Sequence, residues 1–202
     1  MNTTAQTIRF YRRKLPHWEV ADGRYFITLR LRGALPVESE KRLRDLLLQF
    51  NNIEPQNKLP LQRQIFRDME HALDNSTLNC HLRNPQIAKI IQTAIKHRND
   101  AGIWQTIEYV IMPNHLHLFV AAPNASFGKI IPSFKKHTAK QSLPFIGTND
   151  GKGFWQREWF DHWSRSGMED EKIINYIRNN PVKAGLVQHY TEWPHSSWAA
   201  PQ

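Results

Sequence analysis

The chain has 202 residues, 40% hydrophobic and 22% charged, a balance that suits one soluble globular domain with a generous core. Lysine and arginine outnumber aspartate and glutamate by 27 to 18, and the resulting formal charge of +9 favours polyanionic partners, nucleic acid first and an anionic membrane surface second. The single cysteine, Cys80, excludes an intrachain disulfide and a multi-cysteine zinc site and fits a reducing cytoplasm, and no apolar run approaches the roughly 20 residues that span a bilayer.

The first six residues lack the apolar core of a signal peptide. Residues 1–17 read as a basic, loosely ordered lead, with Arg12, Arg13 and Lys14 clustered. Arg24 to Leu31 alternates and is rich in aromatic and β-branched residues, which predicts a strand. Pro36 to Phe50 carries Leu43, Leu46, Leu47 and Phe50 at helical spacing, with Glu38 and Glu40 near its start. Residues 51–62 read as a connecting loop and 63–74 as a helix; the whole segment 51–84 is an insertion to which no role is assigned.

Asn84-Pro85 is an N-cap followed by a proline in the first turn, and the helix it opens presents Ile87, Ile90, Ile91, Ala94 and Ile95 until about His97. Ile103 to Ile111 and His115 to Ala121 read as two strands of a hairpin around a tight turn at Pro113-Asn114. Ser126 to Gln141 is a basic helix with Lys129, Lys135, Lys136, His137 and Lys140. A Gly-containing loop over 144–153 precedes an aromatic strand, Phe154 to Trp163, and a last helix runs from Glu169 to Asn180. The order contains a β-α-β-β-α-β core. The expected fold class is therefore α+β: a ferredoxin-like, split βαβ antiparallel sheet with helices packed on one face, the histidine strand on the open face and a C-terminal helix. Residues 18–198 are expected to form one domain.

Chemistry concentrates in Met112-Pro113-Asn114-His115-Leu116-His117-Leu118. On a strand, residues i and i+2 share a face about 6.6–6.8 Å apart, so His115 and His117 can converge on one metal ion while Leu116 and Leu118 face a core. The same pattern also suits two polar residues on a solvated strand face, or core histidines bonded to backbone. In the last helix, Ile173, Ile174 and Ile177 form the buried stripe and Tyr176 lies on its margin. Asn180, at i+4, shares the face of Tyr176, although the following Pro181 makes the end of that helix approximate. A marginal tyrosine can anchor its ring and offer its hydroxyl to a cleft; an ordinary amphipathic tyrosine at a core edge looks the same.

A phenol is a weak nucleophile at its ordinary pKa of about 10, and a metal on the scissile phosphate would polarise the phosphoryl oxygen and offset the incoming phenolate. His115, His117 and the amide oxygen of Asn180 would make a mixed nitrogen and oxygen set that suits Mn²⁺ or Mg²⁺, with Zn²⁺ still open on ligand type alone. Trp155, Trp159, Trp163, Trp193 and Trp198, interleaved with Lys152, Arg157 and Arg165, suit either stacking platforms for unpaired bases or one buried aromatic face.

Three segments together resemble the single-tyrosine HUH transposases, in particular the REP-associated tyrosine transposases. They are Met112 to Leu118, Phe154-Trp155-Gln156-Arg157, and Tyr176-Ile177-Arg178-Asn179-Asn180-Pro181-Val182-Lys183-Ala184-Gly185-Leu186-Val187, with Glu192 to Ser197 similar to the family's C-terminal segment. The resemblance implies His115 and His117 as metal ligands, Tyr176 as nucleophile, and Asn180 as third ligand where related transposases have glutamine. It implies a divalent metal, Mg²⁺ or Mn²⁺, and a single-stranded DNA substrate, often a hairpin from a repetitive extragenic palindrome (REP). The implied reaction is transesterification through a 5′-phosphotyrosine. Lys135, Lys136 and Lys140, clustered on the helix after the histidine strand, and Arg157 among the tryptophans are expected to contact DNA, with the protein acting as monomer or homodimer. The rival readings are a non-catalytic single-stranded nucleic-acid-binding module and a metal-dependent phosphodiester hydrolase.

Overall fold

The computed structural model describes residues 6–12, 16–54, 57–122, 126–147 and 153–199. In chain order the elements are strands β1 (Thr7–Arg12), β2 (Pro16–Val20) and β3 (Gly23–Arg30), then helices α1 (Val37–Asn52), α2 (Lys58–Asp74) and α3 (Pro85–Asp100). Strands β4 (Gln105–Ile111) and β5 (His115–Ala122), helix α4 (Phe127–Ser142), strand β6 (Phe160–Ser164) and helix α5 (Gly167–Lys183) follow. The main sheet has the order β4-β5-β3-β6, and every neighbouring pair is antiparallel. The crossover from β3 to β4 passes over β5, and the crossover from β5 to β6 passes over β3. This is the split βαβ plan expected from the element order.

Local chemistry explains the helix ends. The Asn84 side chain accepts from the Gln86 amide at 2.9 Å and Pro85 occupies the first turn, so α3 starts where the sequence predicts. Ser166 caps α5 by accepting from the Glu169 amide at 3.2 Å, with Glu169 and Asp170 at the positive end of the helix dipole. Helix α5 does not stop at Asn180. It continues through Pro181 to Lys183 and closes at Gly185, whose φ of +67° only glycine adopts without strain.

The faces of the sheet follow from register. Tyr25 pairs with Val120, Ile27 with Leu118 and Leu29 with Leu116, all buried on the side that receives α4 through the Tyr25–Phe127 ring contact. Phe26, Thr28 and Arg30 pair with Phe119, His117 and His115 on the other side. That side is not open as expected. Helix α2 covers it through Phe66, which meets Phe26 at 5.7 Å, and α5 covers it through Tyr176, also 5.7 Å from Phe26.

Other expectations shift as well. Residues 7–12 and 16–20 do not form a loose lead: β1 and β2 pair as an antiparallel hairpin. Arg13, Lys14 and Lys152 lie outside the described residues. The loop expected over 51–62 is shorter, because α2 starts at Lys58 and holds Pro60 in its first turn. The aromatic run Phe154 to Trp163 pairs as a strand only from Phe160. Before that, Trp155 makes one isolated bridge to Leu31 and turns its indole to donate to Thr138 Oγ1 of α4 at 2.9 Å. The Arg32 amide donates to the Phe154 carbonyl and the Gln156 amide to the Arg30 carbonyl, both at 2.9 Å, and the Lys135 ammonium takes the carbonyls of Gln156 and Arg157 just beyond. Trp155 and Trp159 are core residues, and Trp163, Trp193 and Trp198 pack against the core while partly buried.

The C-terminal segment returns to β4. The Ile111 amide donates to the His195 carbonyl at 2.8 Å and the Ser197 amide to the Tyr109 carbonyl at 3.1 Å, around an isolated bridge between Val110 and Ser196. Trp193 Nε1 donates to the Ile111 carbonyl at 3.0 Å.

Candidate active site

His115 and His117 stand side by side on β5, both fully buried, with their Nε2 atoms 3.1 Å apart. The tautomer of His115 follows from its neighbour. Asn114 Nδ2 donates to the carbonyls of Leu73 at 3.0 Å and Ser76 at 3.2 Å, so its Oδ1 is the atom that faces His115 Nδ1 at 2.7 Å. His115 Nδ1 then carries the proton and Nε2 the lone pair. Thr28 Oγ1 lies 2.9 Å from His117 Nδ1 and anchors that ring, its hydroxyl being able to donate or to accept there. Phe26 stacks on His117 with centroids 5.2 Å apart and fixes its plane.

Two further elements complete the cluster. Glu70, from α2, places Oε2 3.0 Å from His117 Nε2, and Tyr176 of α5 donates its hydroxyl to that same oxygen. The Tyr176 ring rests against Phe26, Phe66 and His117, the last at 5.5 Å. Asn180, one turn beyond, is 1% exposed, and both its amide oxygen and nitrogen are buried without a hydrogen-bond partner among the described residues. Helices α2 and α5 are tied a second time by Lys183 and Asp74 at 2.7 Å.

Electrostatics follow burial. Desolvation, then the neighbouring His117, holds His115 down to about 3, so its imidazole is neutral near pH 7. Burial pushes Glu70 up, but His117, His115 and the Tyr176 hydroxyl together outweigh it and keep the carboxyl below its ordinary range. Burial, and then the negative charge of Glu70, pushes the Tyr176 phenol well above the usual 10. The phenol therefore keeps its proton at neutral pH unless positive charge comes close.

The donor set fits a divalent cation. Two imidazole nitrogens 3.1 Å apart subtend about 95° at an ion with bonds of about 2.1 Å. Among the described residues, Glu70, His115 and His117 form a group whose ligand atoms all lie within 4.8 Å of one another. The Asn180 amide adjoins them, close enough to act on both His115 and Tyr176.

The residues singled out in the sequence thus divide. His115, His117, Tyr176 and Asn180 come together. Lys135, Lys136 and Arg157 line a separate concavity of about 300 Å³ next to α4, on the other side of the sheet from the histidines. Lys140, exposed on the same helix, is not part of its wall. Lys135 is engaged with two backbone carbonyls, so its charge is already committed to the 156–157 loop. Glu70 escaped the sequence reading. Its signal was a carboxylate beside the buried stripe Ile65, Met69 and Leu73, only 3% exposed itself.

A Haemophilus influenzae protein that carries the name REP-associated tyrosine transposase is 30% identical over 116 residues, 53% of this chain and 66% of that protein. The REP-associated tyrosine transposase of Escherichia coli is 26% identical over 90 residues, 45% of this chain and 52% of that one. The chain thus spans less than two thirds of the length of these curated relatives. The solved structure of a REP-associated tyrosine transposase bound to a REP hairpin aligns with a TM-score of 0.52 over 95% of this chain and 83% of that one. At 19% identity, that likeness is one of fold. The family model described as Transposase IS200 like matches residues 79–180, which include both histidines, Tyr176 and Asn180. The chain belongs to the IS200-like transposase family.

Proposed function

We propose that the protein cleaves and rejoins single-stranded DNA by metal-assisted transesterification, with Tyr176 as nucleophile and His115, His117 and Asn180 as metal ligands. The observation that carries this reading is convergence: a tyrosine hydroxyl, two imidazole Nε2 atoms and the buried Asn180 amide meet from β5 and α5 in one cluster. Tyr176 Oη forms a bond to phosphorus as the P–O3′ bond breaks, leaving a 5′-phosphotyrosine and a free 3′-hydroxyl. The bond energy is kept, so a 3′-hydroxyl can reverse the step without a nucleotide cofactor. A divalent ion, Mg²⁺ or Mn²⁺, polarises the phosphoryl oxygen and offsets the phenolate charge when bound. The phenol held above its ordinary range and the neutral His115 both suit a site that gains its positive charge from such an ion.

The formal charge of +9 supports a nucleic-acid partner. A DNA hairpin is the form suggested by the structural neighbour, which is described as bound to a REP hairpin. No described helix is long and apolar enough to cross a membrane. The deciding experiment is denaturing electrophoresis of the protein with a 5′-labelled and a 3′-labelled hairpin oligonucleotide in Mn²⁺. A protein-linked band is expected from the label 3′ of the cut and a free 3′-hydroxyl fragment from the other; cleavage without any protein-linked DNA would exclude the tyrosine mechanism.

The basic concavity gives a second expectation. Replacing Lys136, Lys140 and Arg157 together by alanine spares Lys135 and its backbone bonds. The slope of log affinity against log salt should fall by up to about 2, at roughly 0.7 per lost single-strand phosphate contact. An unchanged slope would place the DNA elsewhere.

A further inference from the structure

We propose that Glu70 is an additional protein ligand of the divalent ion and the group that fixes the Tyr176 hydroxyl beside it; this rests on the metal-assisted reading above. Glu70 belongs to α2 and lies outside residues 79–180, the part of the chain that the family model matches. Its Oε2 is 3.0 Å from His117 Nε2 and accepts from the Tyr176 hydroxyl, while its Oε1 is buried without a hydrogen-bond partner among the described residues. A buried carboxylate with one idle oxygen is costly unless something positive completes it. Both imidazoles present Nε2 to the same point, and a cation shared by His115, His117 and Glu70 satisfies all of these atoms together.

The placement is fixed from two sides. Asn114 binds the end of α2 with its Nδ2 and orients His115 with its Oδ1, so the helix that carries Glu70 is registered against the strand that carries the histidines. Lys183 and Asp74 hold α2 to α5, which sets the distance between Glu70 and Tyr176. Two neutral imidazoles and one carboxylate reduce the charge of a divalent ion to +1. That remaining charge still attracts a phosphodiester and binds the ion more tightly than neutral ligands alone.

The test is a Mn²⁺ titration of the full chain without DNA, by calorimetry and by the electron paramagnetic resonance of free Mn²⁺. Glu70→Gln keeps the shape and removes the charge; it should weaken Mn²⁺ binding by about tenfold or more. His117→Ala should weaken it by more than a hundredfold. Glu70→Gln that binds as tightly as the wild type, while His117→Ala binds more than a hundredfold more weakly, overturns the role of Glu70 and leaves the histidine site standing. A wild type that takes up no Mn²⁺, or takes it up equally without His117, overturns both. Should Glu70→Gln fail to fold by circular dichroism, Glu70→Asp keeps the charge and withdraws the carboxylate by one methylene. Unweakened Mn²⁺ binding in that variant overturns the proposal equally.

Discussion

Tyr176→Phe is expected to abolish the protein–DNA adduct and to lower cleavage by at least about a thousandfold, about 4 kcal/mol of barrier. The substitution removes one oxygen. The ring keeps its contacts with Phe26, Phe66 and His117, and Ile173 and Ile177 still bury the helix stripe. Glu70 loses one hydrogen bond but keeps His117 as a neighbour. The fold should therefore survive, with a stability loss of about 1–3 kcal/mol at most from the unmet carboxylate. The measurement is a quantified adduct band beside a thermal melt. Cleavage that persists at wild-type rate in Tyr176→Phe would move the chemistry to activated water and make the protein a hydrolase.

His117→Ala should cost more than a hundredfold in metal affinity, since substitutions that only support a ligand already cost about 10–100-fold. His117 is the centre of the cluster: its Nε2 faces both His115 and Glu70, its Nδ1 meets Thr28, and its ring carries Phe26 and Tyr176. Metal-dependent cleavage should fall with affinity and recover in part at high Mn²⁺. Thr28→Val is the control. It removes the hydroxyl that orients Nδ1 but no ligand, so its effect on Mn²⁺ affinity should stay below that of His117→Ala. Equal losses in the two variants would show that the cluster fails by unfolding and would remove His117 from the ligand set.

The sequence made the two ends of the site legible for a simple reason. A period of two on β5 and a spacing of four on α5 are local rules, and local rules place His115 with His117 and Tyr176 with Asn180 without knowing the fold. The split βαβ order was legible because each crossover has its own helical run. Glu70 was not legible, because its partnership spans 106 residues to Tyr176 and depends on how an insertion folds back. No local period states which face of the sheet α2 will cover. The strand over Phe154 to Trp163 was overread for the opposite reason: aromatic composition suggested continuous pairing, whereas pairing is limited to one bridge at Trp155 and resumes only at Phe160, with the Lys135 ammonium taking the carbonyls of Gln156 and Arg157 between them. The N-terminal hairpin was missed because the clustered charges at Arg12, Arg13 and Lys14 weighed more than the alternation in Thr7 to Arg12.

The return of the C-terminal segment to β4 bears on how copies of the chain can assemble. β4 is one of the two edge strands of the sheet, opposite β6, and a bare edge strand is a template on which another chain can polymerise. Here the amide of Ile111 and the carbonyl of Tyr109 are already taken by His195 and Ser197, and the Tyr109 amide by the Ser197 hydroxyl at 3.0 Å. This stretch of the rim is therefore sealed by the molecule's own tail. A second protomer cannot extend the sheet along this stretch without first peeling that segment away.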